Sequence, residues 1–135
     1  MKVIKLLTKQ NIIDRLKAES YPQKEYWVTA GAGLVMHGVK SETRDIDMGC
    51  SSLLADLLIQ RGAKCSYLND GTRKIEVNSE IELFENWRVD NIVEIDGICV
   101  ASLESIRKQK VGLNRAKDWE DIALIDKLMC GGGLA

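Results

Sequence analysis

Apolar and polar positions along this chain fall into short blocks whose period switches between helix and strand. Residues 8–19 carry Ile12, Ile13 and Leu16 at helical spacing, with Thr8 placed to cap the start and Ser20-Tyr21-Pro22 to end it. Tyr26–Ala30 is aromatic and β-branched, which predicts a strand. Gly31–Val39 then predicts a short helix or helical turn, and Arg44–Gly49 a second strand. Ser51 or Ser52 caps an apolar helix, Leu53–Arg61, that stops at Gly62. Lys64–Leu68, Thr72–Val77 and Glu80–Glu85 read as strands separated by Asn69-Asp70-Gly71 and Asn78-Ser79. Val93–Ile95 and Ile98–Ala101 form a hairpin through Asp96-Gly97, a pair suited to a type I′ turn. Leu103–Val111 and Lys117–Met129 are helices broken around Gly112–Asn114, and Gly131-Gly132-Gly133 reads as a frayed end.

Strands alternate with helices early and pair as hairpins later. That order predicts an α/β (α+β) fold: a mixed β-sheet with helices mainly on one face and a short C-terminal helix pair. No linker, repeat or low-complexity stretch divides the chain. The expectation is one domain over 1–135, with a sheet core in 1–101 and the helix pair in 102–130.

Composition narrows the classes. The 135 residues carry a net charge of −1, so there is no global basic field for nucleic acid, and any such contact needs a local patch. Arg107, Lys108, Lys110, Arg115 and Lys117 do cluster near the C-terminus, as a solvated helix face or as a source of positive charge for phosphates. Cys50, Cys65, Cys99 and Cys130 are widely spaced and the chain has one histidine, which argues against a structural zinc site. MKVIKLL is too short and too quickly polar for a secretory signal, and no apolar run approaches the ~20 residues of a membrane span. The expectation is a cytoplasmic protein with reduced cysteines and no membrane contact.

The chemistry concentrates in residues 30–49, AGAGLVMHGVKSETRDIDMG. Strand side chains alternate faces, so Asp45 and Asp47 point one way and Ile46 the other. Two carboxylates on one face repel each other unless a cation sits between them. Mg²⁺, with Mn²⁺ as the alternative, takes oxygen ligands and is often held by one or two carboxylates plus substrate phosphates. Gly31, lacking a Cβ, lets the backbone approach an anion closely, and the following turn aims N–H groups at it. Cation and phosphate sites together point to phosphoryl or nucleotidyl transfer.

These residues resemble those of the DNA polymerase beta-like nucleotidyltransferase superfamily. Its signature is a hydrophobic residue, Gly, then Gly or Ser, a gap, and Asp-hydrophobic-Asp on the next strand. Here Ala30-Gly31-Ala32 precedes Asp45-Ile46-Asp47. The stretch GAGLVMHGVKSETRDIDMGC is similar to the form found in small bacterial nucleotidyltransferases of the abortive-infection type IV toxin–antitoxin branch. Lys110–Leu124, KVGLNRAKDWEDIAL, resembles the helix pair that closes many of them. The resemblance implies transfer of a nucleoside monophosphate from an NTP to a hydroxyl of RNA, protein or a small molecule. It equally admits a weak or inactive binding module serving as sensor, antitoxin or partner subunit. So short a helical tail implies a minimal enzyme, a homodimer or one completed by a partner subunit.

A two-metal site wants a third carboxylate on a neighbouring strand. Glu82, flanked by Ile81 and Leu83, fits the pattern of one acid projecting from a buried strand; Glu76 is the alternative, and a one-residue slip would reverse facing. The resemblance implies that this acid ligates metal and draws the proton from the attacking hydroxyl. Asp45, Asp47 and Glu82 are therefore the expected catalytic and metal-ligating residues. Gly31, Ala32, Thr43 and Lys110 are the expected nucleotide-binding set. Ala32 stands where many members have Ser or Gly, so only its amide is offered. Thr43, in phase with both acids, either orients a carboxylate or merely starts the strand. Arg44 is out of phase and reads as facing away. Lys110 either contacts the nucleotide or lies on a solvated helix face. Asp118 and Asp121 read as caps and dipole charges for the last helix. His37 reads as a half-buried structural residue, Gly33 as a packing glycine, and Trp87 as either the wall of a base pocket or core packing.

Overall fold

The computed structural model describes residues 5–132. A two-residue strand, β1 (Leu7–Thr8), leads into α1 (Lys9–Glu19). Thr8 Oγ1 accepts from the Asn11 amide at 3.2 Å and Asn11 Oδ1 from the Thr8 amide at 3.0 Å. This reciprocal cap satisfies two donors that a helix start would otherwise leave unpaired. β2 (Tyr26–Thr29), α2 (Ala30–Met36), β3 (Glu42–Thr43), β4 (Ile46–Cys50) and α3 (Ser52–Gln60) follow. The second half holds β5 (Lys64–Tyr67), β6 (Arg73–Glu76), β7 (Ile81–Glu85), β8 (Ile92–Ile95), β9 (Ile98–Ala101), α4 (Leu103–Leu113) and α5 (Ala116–Gly132).

Seven strands form one mixed sheet in the order β5-β6-β7-β4-β2-β9-β8. β4 runs parallel to β7 and antiparallel to β2, and β2 runs parallel to β9. The remaining neighbours are antiparallel hairpins. At the β8–β9 turn Asp96 and Gly97 both have positive φ, 52° and 82°, as a type I′ turn requires.

Alternation along β4 sorts the two faces. Ile46, Met48 and Cys50 have no exposed surface and pack with Ile12 and Leu16 of α1 and Leu54 of α3 in the main core. Asp47 and Gly49 point to the other face, where Trp27 covers Gly49 and a Cβ at position 49 would overlap the indole. A smaller cluster of Trp27, Leu34, Ala101, Ile106 and Ile125 anchors α4 and α5 beside β2 and β9. Gly33 permits that packing, because a Cβ there would lie 2.7 Å from Ile106 Cδ1.

Several boundaries differ from the sequence expectation. The strand read as Arg44–Gly49 begins at Ile46, because Glu42 and Thr43 pair with β1 in a separate two-stranded ribbon and the chain bends at Arg44. Ala30 belongs to α2 rather than to β2. Gly131 and Gly132 continue α5 instead of fraying, and Gly133 lies outside the described residues. All four cysteines are free, with Cys50 and Cys99 buried. No helix among the described residues is long and apolar enough to cross a membrane.

Candidate active site

A cavity of about 750 Å³ opens between the polar face of the sheet and the α4–α5 pair. Asp45, Asp47, Gly31, Thr43 and Lys110 all stand on its wall. Glu82 and Ala32 do not. Asp45 precedes β4 and Asp47 is its second residue, so a bend followed by a strand, rather than strand alternation alone, brings both acids to one cavity.

Strand register sets the row in which Asp47 lies. Asp47 is opposite Thr29 on β2 and opposite Glu82 on β7, and Glu82 is in turn opposite Glu76 on β6. Facing residues on neighbouring strands share a face. Glu82 therefore stands one strand spacing from Asp47, about 4.8 Å, and Glu76 roughly twice as far. Of the two candidates for the third acid, Glu82 is the one nearer to Asp47. Lys74 bridges the two glutamates, with Nζ 3.7 Å from Glu82 Oε1 and 3.8 Å from Glu76 Oε1.

Asp47 carries the electrostatic cost of this arrangement. Burial, then the charge of Asp45, then that of Glu82, push its carboxyl up to about 6, and Lys74 and Lys117 only partly offset them. A divalent cation would remove that penalty, and the donors are all carboxylate oxygens, which suits Mg²⁺ or Mn²⁺. Among the described residues, however, no three acids are gathered tightly enough to form a ready metal site. Glu82 would have to leave Lys74 to join the two aspartates.

The glycine turn meets the acids from the β2 side. Thr29 is fully buried and its hydroxyl lies 2.8 Å from Gln109 Oε1, tying the end of β2 to α4. Ala30, with φ of 53°, is a non-glycine residue held in the left-handed region at the start of α2. A Cβ on Gly31 would come within 3.0 Å of Thr43 Oγ1, so glycine lets these two segments touch. Ala32 turns its methyl into the main core at 1% exposure, leaving its amide as its only polar donor. The Thr43 hydroxyl donates to the Asp45 backbone carbonyl at 3.4 Å, tying the end of β3 to the residue before β4. Arg44 stands on the cavity wall, out of step with simple alternation, because the chain bends at Arg44 between β3 and β4 instead of running on as one strand.

Lys110 is not on a solvated face. It is buried, with Nζ 3.0 Å from Asp121 Oδ2 and 3.7 Å from Asp118 Oδ1. Asp121 also binds Lys40 at 2.7 Å, and Asp118 takes two bonds from the Arg115 guanidinium and one from its amide. The Arg115 hydrogen bonds hold the Asp118 carboxyl below the usual carboxylate range. For Asp121 burial alone would raise the pKa, but bonds from Lys40 and Lys110 outweigh it and lower it. Both aspartates lie on the last helix, as their sequence position predicts, whereas the part played by Lys40 has no local sequence signal. The spacing Lys110…Arg115-x-x-Asp118-x-x-Asp121 is the one local sign of the network.

Trp87 lines the cavity and stacks on Phe84, ring centroids 4.3 Å apart, and its carbonyl accepts from Trp27 Nε1 at 2.8 Å. His37 is half-buried, its Nε2 lying 2.8 Å from the Ala101 carbonyl oxygen, a structural role.

No protein-family model and no curated protein matches the chain. Among solved structures it is similar to ANT(2″)-Ia in complex with adenylyl-2″-tobramycin, with a TM-score of 0.53 and 16% identity. The match covers 89% of this chain and 86% of that one. The chain has a nucleotidyltransferase-like fold. In this nucleotidyltransferase-like fold the paired aspartates, the glycine turn and the C-terminal helix pair surround one cavity.

Proposed function

We propose that this protein is a Mg²⁺-dependent nucleotidyltransferase, moving a nucleoside monophosphate from an NTP to a hydroxyl acceptor. The observation that carries the reading is the pair Asp45 and Asp47 on one cavity wall, with Glu82 facing Asp47 from the next strand. Asp45, Asp47 and Glu82 would hold the metal. When bound, it supplies positive charge for the attacking and leaving oxygens. Gly31 presents backbone without a Cβ, where the triphosphate can come close. Trp87 offers an aromatic face to the nucleotide base. Glu82 accepts the proton of the acceptor hydroxyl as that oxygen bonds to the α-phosphorus and pyrophosphate leaves.

The neighbouring structure holds an adenylylated small molecule; in this reading the acceptor hydroxyl belongs to a small molecule, RNA or protein. The motif text 30–50 is what favours the toxin–antitoxin branch, in which the chain works in the cytoplasm, as a homodimer or with a partner subunit. A second reading, a nucleotide-binding module of little or no activity, is favoured by Glu82 pairing with Lys74 at 3.7 Å outside the cavity wall.

One assay separates the two readings: incubation with each α-labelled NTP, Mg²⁺, total RNA and lysate. Label transfer that disappears in Asp45→Asn and Asp47→Asn supports the enzyme. NTP binding without transfer supports the module. Transfer that survives both substitutions overturns the assignment of these acids.

A further inference from the structure

This inference rests on the nucleotidyl-transfer reading and concerns the chemical class of the acceptor. The charged groups on the cavity wall divide into three sets. Asp118 and Asp121 are occupied by Arg115, Lys110 and Lys40. Asp45 and Asp47 are the other wall carboxylates among the described residues, and the proposed function assigns them to the metal. No wall carboxylate is then left to receive the ammonium groups of an amine-rich acceptor.

Arg44 and Lys117 form the third set. Both line the cavity, both are exposed, and neither has an ion-pair partner among the described residues. Lys117 stands close enough to Asp47 to offset part of its negative environment. A guanidinium and an ammonium free at the mouth of one cavity match phosphate oxygens, which an arginine can bind with two parallel hydrogen bonds.

The geometry points to an acceptor hydroxyl carried by a phosphate-bearing molecule, a ribose hydroxyl beside a phosphate, and away from amine-rich acceptors. An RNA strand end and a free mononucleotide share that chemistry.

The test uses the full chain with Mg²⁺ and a non-hydrolysable NTP analogue. Three probes are titrated: a short single-stranded RNA with a free 3′ hydroxyl, AMP, and tobramycin. The expected result is saturable binding of RNA or AMP, weakened roughly tenfold or more in Arg44→Ala/Lys117→Ala, the scale of a lost charge-assisted contact. Tobramycin gives no saturable binding. RNA binding without AMP binding assigns the strand end, and equal binding of both assigns the mononucleotide.

Saturable tobramycin binding overturns the proposal. So does a double variant that loses the analogue but keeps RNA and AMP, because the two cations then serve the triphosphate alone. Repeating the three titrations without the analogue separates the levels. Absent Mg²⁺-dependent analogue binding counts against the transferase reading, and the analogue-free series still decides between anionic and amine-rich ligands. Both substituted side chains are exposed, and an unchanged melting temperature verifies that the variant is folded.

Discussion

Asp47 and Glu82 face each other across the parallel strands β4 and β7, and Glu82 is one of the charges that hold the Asp47 carboxyl up at about 6. An acid with a raised folded pKa keeps its proton where the unfolded chain has already lost it. Stability therefore falls as pH rises from about 4 to about 6, and stays lower above that. Two pKa units correspond to about 3 kcal/mol at most, before solvent screening reduces it. Asp47→Asn should raise the melting temperature at pH 8 by a few degrees and change it little at pH 4. Melting curves across that range check this, and an equal gain at both pH values would contradict it.

Lys110 is the buried cation that keeps two buried aspartates tolerable. Lys110→Met should destabilise the fold by about 3–5 kcal/mol, because it strands charge in the interior. Adding Asp121→Asn should recover part of that loss, a non-additivity that urea denaturation of the single and double variants measures. Asp118 and Asp121 are held below the ordinary carboxylate range. Their contribution is complete above that range and is lost as pH falls through their lowered values, so it drives acid unfolding.

Gly49 is fixed by Trp27, not by backbone conformation. Gly49→Ala would push the indole from its seat, at a cost of about 1–3 kcal/mol. Because Trp27 Nε1 donates to the Trp87 carbonyl, the displacement should reach the cavity wall. A shift in tryptophan fluorescence together with a weaker NTP affinity is the expected signature.

Glu82 and Glu76 differ in distance from Asp47, and kinetics should follow that difference. Glu82→Gln should lower kcat by about 10²–10⁴, as loss of a general base does, and raise the Mg²⁺ concentration needed, because the same carboxylate would hold the metal. Glu76→Gln should leave kcat within a few-fold. Steady-state kinetics of the two variants checks the assignment.

The sequence was most legible where signals were local. Thr8 and the Ile12, Ile13, Leu16 stripe announce α1, Asp96-Gly97 announces the β8–β9 hairpin, and the Asp-x-Asp pattern announces the acids. Facing across strands was harder. Asp47 and Glu82 are brought together by parallel pairing, which no short motif specifies. Alternation failed at Arg44 because pairing of Glu42 and Thr43 with Leu7 and Thr8, far upstream, ends one strand and bends the chain before the next. The burial of Lys110 was hidden for a similar reason: part of its network is Lys40, contributed by the loop after α2.

The central claim is that Asp45 and Asp47 bind a cation and a triphosphate together. Calorimetric titration of each NTP into the protein at pH 8, with and without Mg²⁺, tests it most directly. The account predicts saturable heat with at least one NTP that requires Mg²⁺ and vanishes in Asp45→Asn/Asp47→Asn. Equal binding without Mg²⁺ and in that double variant, or no saturable heat with any NTP, would contradict it.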